Sequence, residues 1–382
     1  MKHKRKKRIA FDALGIDSAS GARTAVYYLI KEVIKLCPDW EFVVFLSKYE
    51  SAYHQANVKQ VVLPLKRGII SRVIMQFLLP FEVLFRRIDL IHFTKSQASV
   101  VPRAKTVMTI HDVTILLYPN IHPKPSVLYW KYIQPIMAKI MDAIVAVSND
   151  GARGIKTYLS VPDKKLIVVN NASQFSSIVK VEKRTFLAVQ KKYDLPKLYF
   201  LVVGQIALKK NLDTLIRAFG ILRDRGKIIP ALVMVGPRYD ISDAGSIFEL
   251  IDELDLSTYV HYLGSINTLD LQVVFSNAEI FLMPSVHEGF GIPCLEAMQL
   301  GVPVIASKAS ALPEIIGSAG ILIGDMLSPE SWADAITELH HSPDKRIELI
   351  KAGKKRARLF SWNNSAKKLI SLYEDLLETS QE

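Results

Sequence analysis

Two glutamates, Glu288 and Glu296, stand in the run His287-Glu288-Gly289-Phe290-Gly291-Ile292-Pro293-Cys294-Leu295-Glu296. The apolar stretch Ile280–Pro284 before them reads as a buried strand. Pro293 suits the start of a helix, Gly301 suits its stop, and Val302–Ser307 reads as the next strand. The unit is a strand, a glycine loop, a short helix and a second strand. This places the loop at the carboxyl end of a parallel strand, where open α/β sheets bind ligands. A helix amino-terminus there offers N–H donors and a positive dipole to a phosphate. Glycine lets the backbone come close to the ligand. Glu296, expected in the first helical turn, would accept hydrogen bonds from a ribose diol, and Glu288 in the loop would meet sugar hydroxyls. The competing reading gives Glu296 only the task of complementing the helix dipole and leaves Glu288 in solvent.

A second cluster follows the strand expected at Phe200–Gly204: Gly204-Gln205-Ile206-Ala207-Leu208-Lys209-Lys210-Asn211. Lysines at a helix start oppose the dipole unless an anion joins them, and a diphosphate is the natural third party. Lys210 is the better placed contact, with Lys209 beside it. In the first half, His111-Asp112 closes the strand expected at Val107–His111. A histidine there can orient a hydroxyl or exchange a proton near neutral pH, whereas Asp112 equally suits a turn. Gly21, in the turn Ser18-Ala19-Ser20-Gly21-Ala22-Arg23, opens a helix over Thr24–Leu36 and is compatible with a phosphate. It does not complete a G-x-G-x-x-G fingerprint, so a nicotinamide cofactor gains no support.

Positioning these loops requires alternating strands and helices, and the chain supplies them. Further strands are expected at Ile9–Asp12, Phe42–Ser47, Ile91–Phe93, Ala143–Ser148, Leu166–Asn170, Ala231–Gly236 and Val260–Leu263. Helices are expected at Tyr129–Met141, Asn211–Arg225 and Ser328–His340. This alternation is α/β with parallel sheets. At 382 residues, 49% hydrophobic and 23% charged, the chain suits two such domains. The patterning weakens over 174–191, which places the boundary there.

No Walker-type loop, H-E-x-x-H, zinc spacing or nucleophile elbow occurs, and no Asp-x-Asp pair stands ready for a divalent metal. The expectation is therefore no metal and no cofactor. Two cysteines, Cys37 and Cys294, without metal-ligand spacing point to a reducing, cytoplasmic setting. The start Met1-Lys2-His3-Lys4-Arg5-Lys6-Lys7-Arg8 has no apolar leader core behind it.

Net charge is +12, unevenly placed: residues 1–180 hold 27 Lys and Arg against 12 Asp and Glu, and the remainder 22 against 25. A basic first half suits an anionic partner. Aromatic residues are not interleaved with its basic ones as single-stranded nucleic-acid binding requires, so no nucleic acid is expected. The apolar stretch Leu65–Phe85 is interrupted by Arg72, Gln76, Pro80 and Glu82 and does not span a bilayer. It reads either as an interfacial amphipathic helix or as a packed surface helix.

Taken together, the chain resembles the retaining glycosyltransferases of family 4, the bacterial-type group 1 enzymes of GT-B fold. The resemblance runs through Ile110-His111-Asp112, Val147-Ser148, Val169-Asn170-Asn171, Lys209-Lys210-Asn211-Leu212 and Leu263-Gly264. It continues in Pro284-Ser285-x-x-Glu288-Gly289-Phe290-Gly291, Gly301-Val302-Pro303-Val304 and Phe360-Ser361-Trp362. It implies two Rossmann-like parallel-sheet domains facing a deep cleft: an acceptor-binding domain at 1–180 and a nucleotide-sugar-binding domain at 190–358. A C-terminal helix, 359–382, would cross back to the first.

By the same resemblance Glu296 holds the ribose and Glu288 contacts the transferred sugar. Gly204, Gly289, Phe290, Gly291 and Ile292 approach sugar and phosphate, Lys210 clamps the diphosphate and His111 lies beside the sugar. The donor would be a UDP- or GDP-linked sugar, mannosyl-type by the Lys209-Lys210-Asn211 pattern. The acceptor would be a glycan or lipid-linked hydroxyl in cell-surface polysaccharide synthesis, with the basic half against an anionic membrane at its inner face. Two positions depart from the family pattern. Ala22 stands where many relatives have a second glycine, and Gln205 stands where some have an arginine, which removes one cation. The alternative reading is a non-catalytic partner subunit of the same fold, binding an anionic glycan or membrane surface.

Overall fold

The computed structural model of the chain describes residues 5–14, 21–63, 69–101, 103–175, 182–226, 230–238 and 241–379, without the side chains of 69–75 and 241–245. Two compact units emerge: Met1–Ala172 with Ser361–Glu382, and Ser173–Phe360.

In the first unit seven strands are β1 (Arg8–Asp12), β2 (Glu41–Leu46), β3 (Val58–Val62), β4 (Leu90–Phe93), β5 (Lys105–Ile110), β6 (Ala143–Ala146) and β7 (Leu166–Val168). They lie in the order β3-β2-β1-β4-β5-β6-β7, all parallel. Parallel strands are covered on both faces, which is why β6 reads as an unbroken apolar run and β1 keeps a fully buried Ile9-Ala10-Phe11 centre. One face packs under helix Gly21–Leu36 and the C-terminal helix Trp362–Glu378, burying Phe11, Val33, Leu369 and Tyr373 together. The other packs under helices that contribute Leu79, Val83, Met137 and Ala138.

The C-terminal helix starts at Ser361, whose side chain accepts from the Asn364 N–H, so the Phe360-Ser361-Trp362 motif works as an N-cap. Trp362 stacks on Tyr28 with centroids 6.0 Å apart. Ser365 Oγ donates to the Asn170 carbonyl at 2.5 Å.

The second unit holds β8 (Tyr199–Val203), β9 (Ala231–Val235), β10 (Val260–Gly264), β11 (Ile280–Met283), β12 (Val304–Ser307) and β13 (Ile321–Ile323). The order is β10-β9-β8-β11-β12-β13, again parallel. Strand order therefore reverses between β1 and β4 in one unit and between β8 and β11 in the other.

Several sequence expectations need correction. Strands β3 and β13 were not anticipated. β3 is a partly exposed edge strand interrupted by Lys59 and Gln60, and β13 is an apolar edge strand of only three residues, too short to stand out. The helix expected over Tyr129–Met141 is broken into Lys124–Leu128, a π-turn at Tyr129–Ile133, and Gln134–Ile140. Pro135 has no N–H and its ring collides with the carbonyl four residues earlier, and a widened turn just before it relieves both. Helix Ile69–Phe85 includes Pro80; the first residues of the stretch expected from Leu65 lie outside the described ones, as does the turn 15–20. Among the described residues no helix is long and apolar enough to cross a membrane.

The C-terminal helix is also fixed through His92, whose ring nitrogens lie 2.5 Å from the Tyr373 hydroxyl and 2.7 Å from Thr109 Oγ1, all buried. Tyr373→Phe leaves a buried imidazole nitrogen unpaired and is expected to destabilise the first unit by about 1–3 kcal/mol. Urea unfolding followed by circular dichroism, compared with wild type, measures the shift.

Candidate active site

The second unit brings two predicted residues into contact at its switch point. The loop after β8 carries Gly204 and a single 3-10 turn, Leu208–Lys210. The loop after β11 carries Glu288. Lys210 Nζ and Glu288 Oε1 are 2.5 Å apart, each side chain 13% exposed. The loops are tied independently of this pair, since the Val286 N–H donates to the Lys209 carbonyl at 3.0 Å. The Glu288 N–H donates to Ser310 Oγ at 2.7 Å.

Glycine is required in two places here. A Cβ on Gly204, at φ +155°, would lie 3.1 Å from the Lys210 Cε and Nζ atoms, so the lysine stem runs over bare backbone. A Cβ on Gly236 would fall 1.9 Å from the Gly204 carbonyl oxygen, which leaves no room for any side chain.

Burial alone would raise the Glu288 pKa, but the Lys210 and Lys209 charges and the Lys210 hydrogen bond outweigh it, and the carboxyl is held below its usual value. Glu288 is thus an ionised acceptor, poor as a base.

Asn211, expected as the first residue of a helix, instead sits just before helix Leu212–Asp224 in the left-handed region at φ 51°. Its side chain donates to the Pro284 and Met326 carbonyls at 3.2 and 3.0 Å and accepts from Thr214 Oγ1 at 2.8 Å. This fastens the lysine loop to the loop after β11. The sequence marked Asn211 only by its place in the Lys209-Lys210-Asn211 pattern.

Glu296 occupies a different environment. Helix Ile292–Leu300 begins after Gly291 (φ 98°) and ends at Gly301 (φ 80°), with no acidic residue in its first turn. Glu296 is the fifth helical residue, one position deeper than expected and just past the first turn, because the helix starts at Ile292 rather than Pro293. It is only 2% exposed. Its Oε1 accepts from Gln174 Nε2 at 2.9 Å, and desolvation still pushes its pKa up to about 8. Complementing the helix dipole therefore does not account for Glu296: a buried, mostly protonated carboxyl with one amide partner contributes little charge there. Gln174 carried no signal in the sequence. Its neighbour Phe175 is anchored to the same helix by Gln299 Nε2, which donates to the Phe175 carbonyl at 2.7 Å.

The remaining loop residues divide between packing and backbone roles. The Phe290 side chain is buried edge-on to Phe360, with centroids 5.7 Å apart, and Ile292 is buried as well. A Cβ on Gly291 would strike Leu312 Cδ2 at 2.7 Å.

In the first unit, His111 follows β5. With a carbonyl as partner, its Nε2–H donates to the Thr94 oxygen at 3.0 Å, which leaves Nδ1 with the lone pair. Thr94 Oγ1 in turn donates to the Asp12 carbonyl at 2.6 Å, across the β1/β4 switch point. Burial lowers the His111 pKa, so the ring is neutral at pH 7 and offers Nδ1 as an acceptor. Asp112 Oδ1 accepts from the Thr114 N–H at 3.1 Å, the turn role open to it from the sequence. Other motif positions are structural. Ser148 caps helix Asn149–Leu159, and Asn170 Nδ2 donates to the Val147 carbonyl at 3.1 Å. Gly21 begins helix Gly21–Leu36 and is exposed. Cys37 and Cys294 are buried and free.

A family model described as Glycosyl transferases group 1 matches residues 165–356. A second, described as Glycosyltransferase Family 4, matches residues 19–172. The O-antigen chain mannosyltransferase B of Escherichia coli is 28% identical over 274 residues, 71% of this chain and 70% of that protein. The D-inositol 3-phosphate glycosyltransferase of Corynebacterium urealyticum is 32% identical over 179 residues, 46% of this chain and 42% of that protein; this chain thus spans less than half the length of that relative. Among solved structures, a sucrose-phosphate synthase from Thermosynechococcus elongatus aligns with TM-score 0.78 at 20% identity, covering 98% of this chain and all (100%) of that one. Anabaena HepE in complex with UDP-glucose aligns with TM-score 0.77 at 16% identity, covering 96% and 99%. These likenesses show a shared fold.

The raised Glu296 pKa has a definite sign. The folded carboxyl keeps its proton up to about pH 8, whereas the unfolded one ionises near its ordinary value, so wild-type stability falls as pH rises between the two. Glu296→Gln lacks this loss. Its unfolding midpoint, measured across that range, is expected to overtake wild type progressively as pH increases.

Proposed function

This chain belongs to the group 1 glycosyltransferases, of GT-B fold and family 4 type, and on that premise we propose a retaining, metal-independent sugar transfer. The donor is a nucleotide-diphosphate sugar, UDP- or GDP-linked and mannosyl-type. The acceptor is a glycan or lipid-linked hydroxyl in cell-surface polysaccharide synthesis. The likeness to O-antigen mannosyltransferases supports that class, and the UDP-sugar complexes of structural neighbours accord with such a donor.

The observation that carries this reading is the partly buried Lys210–Glu288 pair at the β8/β11 switch point, close in sequence to the buried Glu296. Lys210 supplies the positive charge that a departing diphosphate needs, and Lys209 and the loop N–H groups add to it. Glu288, kept ionised, receives sugar hydroxyls. Glu296 exchanges its Gln174 partner for the ribose diol, and Gly204, Gly289, Phe290, Gly291 and Ile292 contribute backbone. His111, neutral, accepts from a hydroxyl of the transferred sugar. In the first unit, Gly21 is a donor-binding residue.

Neither glutamate suits a covalent nucleophile. Glu288 is tamed by an ammonium and Glu296 holds its proton. Transfer therefore proceeds on one face: the bond from C1 to the phosphate oxygen breaks and the acceptor oxygen bonds to C1. The acceptor proton passes to the leaving phosphate. Positioning and charge stabilisation provide the acceleration. The protein works in the cytoplasm, held at the inner face of the membrane.

Thermal-shift measurements with UDP, GDP and ADP test the donor site, because a ligand at 100 times its Kd adds ~2.7 kcal/mol. One nucleotide is expected to stabilise wild type, and Glu296→Ala is expected to lose most of that shift. Proton NMR of the product should show the donor's anomeric configuration. Trapping a glycosyl-enzyme, or finding no nucleotide response, contradicts the proposal; the latter favours a non-catalytic partner subunit.

A further inference from the structure

The face of the first unit's sheet that packs against Leu79, Val83, Met137 and Ala138 is covered by helices whose outer sides remain apolar. On helix Ile69–Phe85, Phe77, Phe81 and Phe85 recur every fourth residue and are 68, 70 and 84% exposed. On the broken segment Lys124–Ile140, Tyr132, Ile136 and Ile140 recur at the same spacing and are 56, 58 and 48% exposed. Spacing by four places each set along one side of its helix. Both helices lie on the same side of the sheet, so the two stripes belong to one layer. Exposed apolar residues gathered on one side of a sheet on this scale mark an interaction surface.

The charge on this layer selects the occupant. Lys124, Lys131 and Lys139 are all exposed, and residues 124–141 contain no acidic side chain. Lys131 Nζ lies over the Tyr132 ring at 5.3 Å, beside the apolar stripe rather than away from it. Residues 76–87 contain one carboxylate, Glu82, and Arg86 engages it at 2.5 Å. A second copy docking face to face would oppose lysines with lysines, since a two-fold contact pairs a patch with itself. An anionic bilayer opposes them with phosphates and takes up the aromatic and aliphatic side chains at headgroup depth.

We propose that this layer, centred on Phe77, Phe81, Phe85, Tyr132, Ile136 and Ile140 with Lys131 and Lys139 at its border, is a docking surface for an anionic lipid bilayer. The proposal rests on the membrane placement given above and adds to it a specific surface. The segment Lys124–Ile140 is the new part, because the sequence directed attention only to the earlier helix. In this segment Tyr132 and Ile136 lie outside while Gln134 and Met137 are buried.

Flotation of the full-length protein with phosphatidylglycerol-containing vesicles at low salt, against pure phosphatidylcholine vesicles, tests the surface. Wild type is expected to float with the anionic vesicles only. Each lysine near the surface contributes roughly fivefold in partitioning, so Lys131→Glu with Lys139→Glu is expected to lower binding by at least ~25-fold. Phe81→Ser with Phe85→Ser is expected to lower it by a similar factor, and Ile136→Ser by less. Nucleotide-induced thermal shifts read in parallel should match wild type, which shows the variants fold and separates failure here from failure of the donor-site reading. Variants that float like wild type, equal binding to neutral vesicles, or a wild-type dimer that the substitutions dissociate would each overturn the proposal.

Discussion

A lysine and a glutamate, each 13% exposed and 2.5 Å apart, sit where the second sheet reverses its strand order. As a stabilising device this is a poor choice. Removing two charges from water costs several kcal/mol per ion, and apolar replacements of similar volume are often as stable. The pair makes sense as a site held ready. Its members come from the loops after β8 and β11, the two strands that flank the switch point. The surrounding architecture serves to hold them there: Gly204 is bare so that the Lys210 stem can lie on it, and Gly236 is bare so that the Gly204 carbonyl can pass. Asn211 adopts a left-handed conformation to tie the two loops together.

The two units use one topological scheme for different electrostatic ends. In the second, carboxyls are set apart by environment: Glu288 is kept ionised by lysines and Glu296 is driven toward its neutral form by burial. In the first, His111 at the end of β5 is held neutral by burial and is linked through Thr94 to the Asp12 carbonyl. Burial lowers the pKa of His92 to about 3 and raises that of Asp12 to about 6. Much of the basic surplus of this unit is spread over its surface. Arg5, Lys7 and Arg8, part of the amino-terminal basic run, are paired with Asp89, Glu374 and Glu41.

What the sequence made legible follows from the range of each interaction. Inner parallel strands such as β1, β5 and β11 announce themselves because both faces are buried, and helix ends at Gly301 and Ser361 follow from local backbone needs. Edge strand β3 lacks that signal and β13 is too short to show it, and the π-turn at Tyr129–Ile133 depends on how one proline fits against packed neighbours. Glu288, Glu296 and Lys210 were recognisable by residue type beside glycines and strand ends. Their partners were not: Gln174 meets Glu296 from 122 residues away, and Lys210 meets Glu288 from 78. Only the tertiary fold creates those contacts, and with them the opposite pKa directions of the two glutamates.

The central claim is that Lys210 is reserved for a diphosphate. Titration calorimetry comparing a nucleoside diphosphate with its monophosphate, on wild type and on Lys210→Met paired with Glu288→Gln so that no buried charge is orphaned, addresses it most directly. The account predicts that wild type prefers the diphosphate and that the double variant binds both alike. An unchanged preference in the double variant would contradict it.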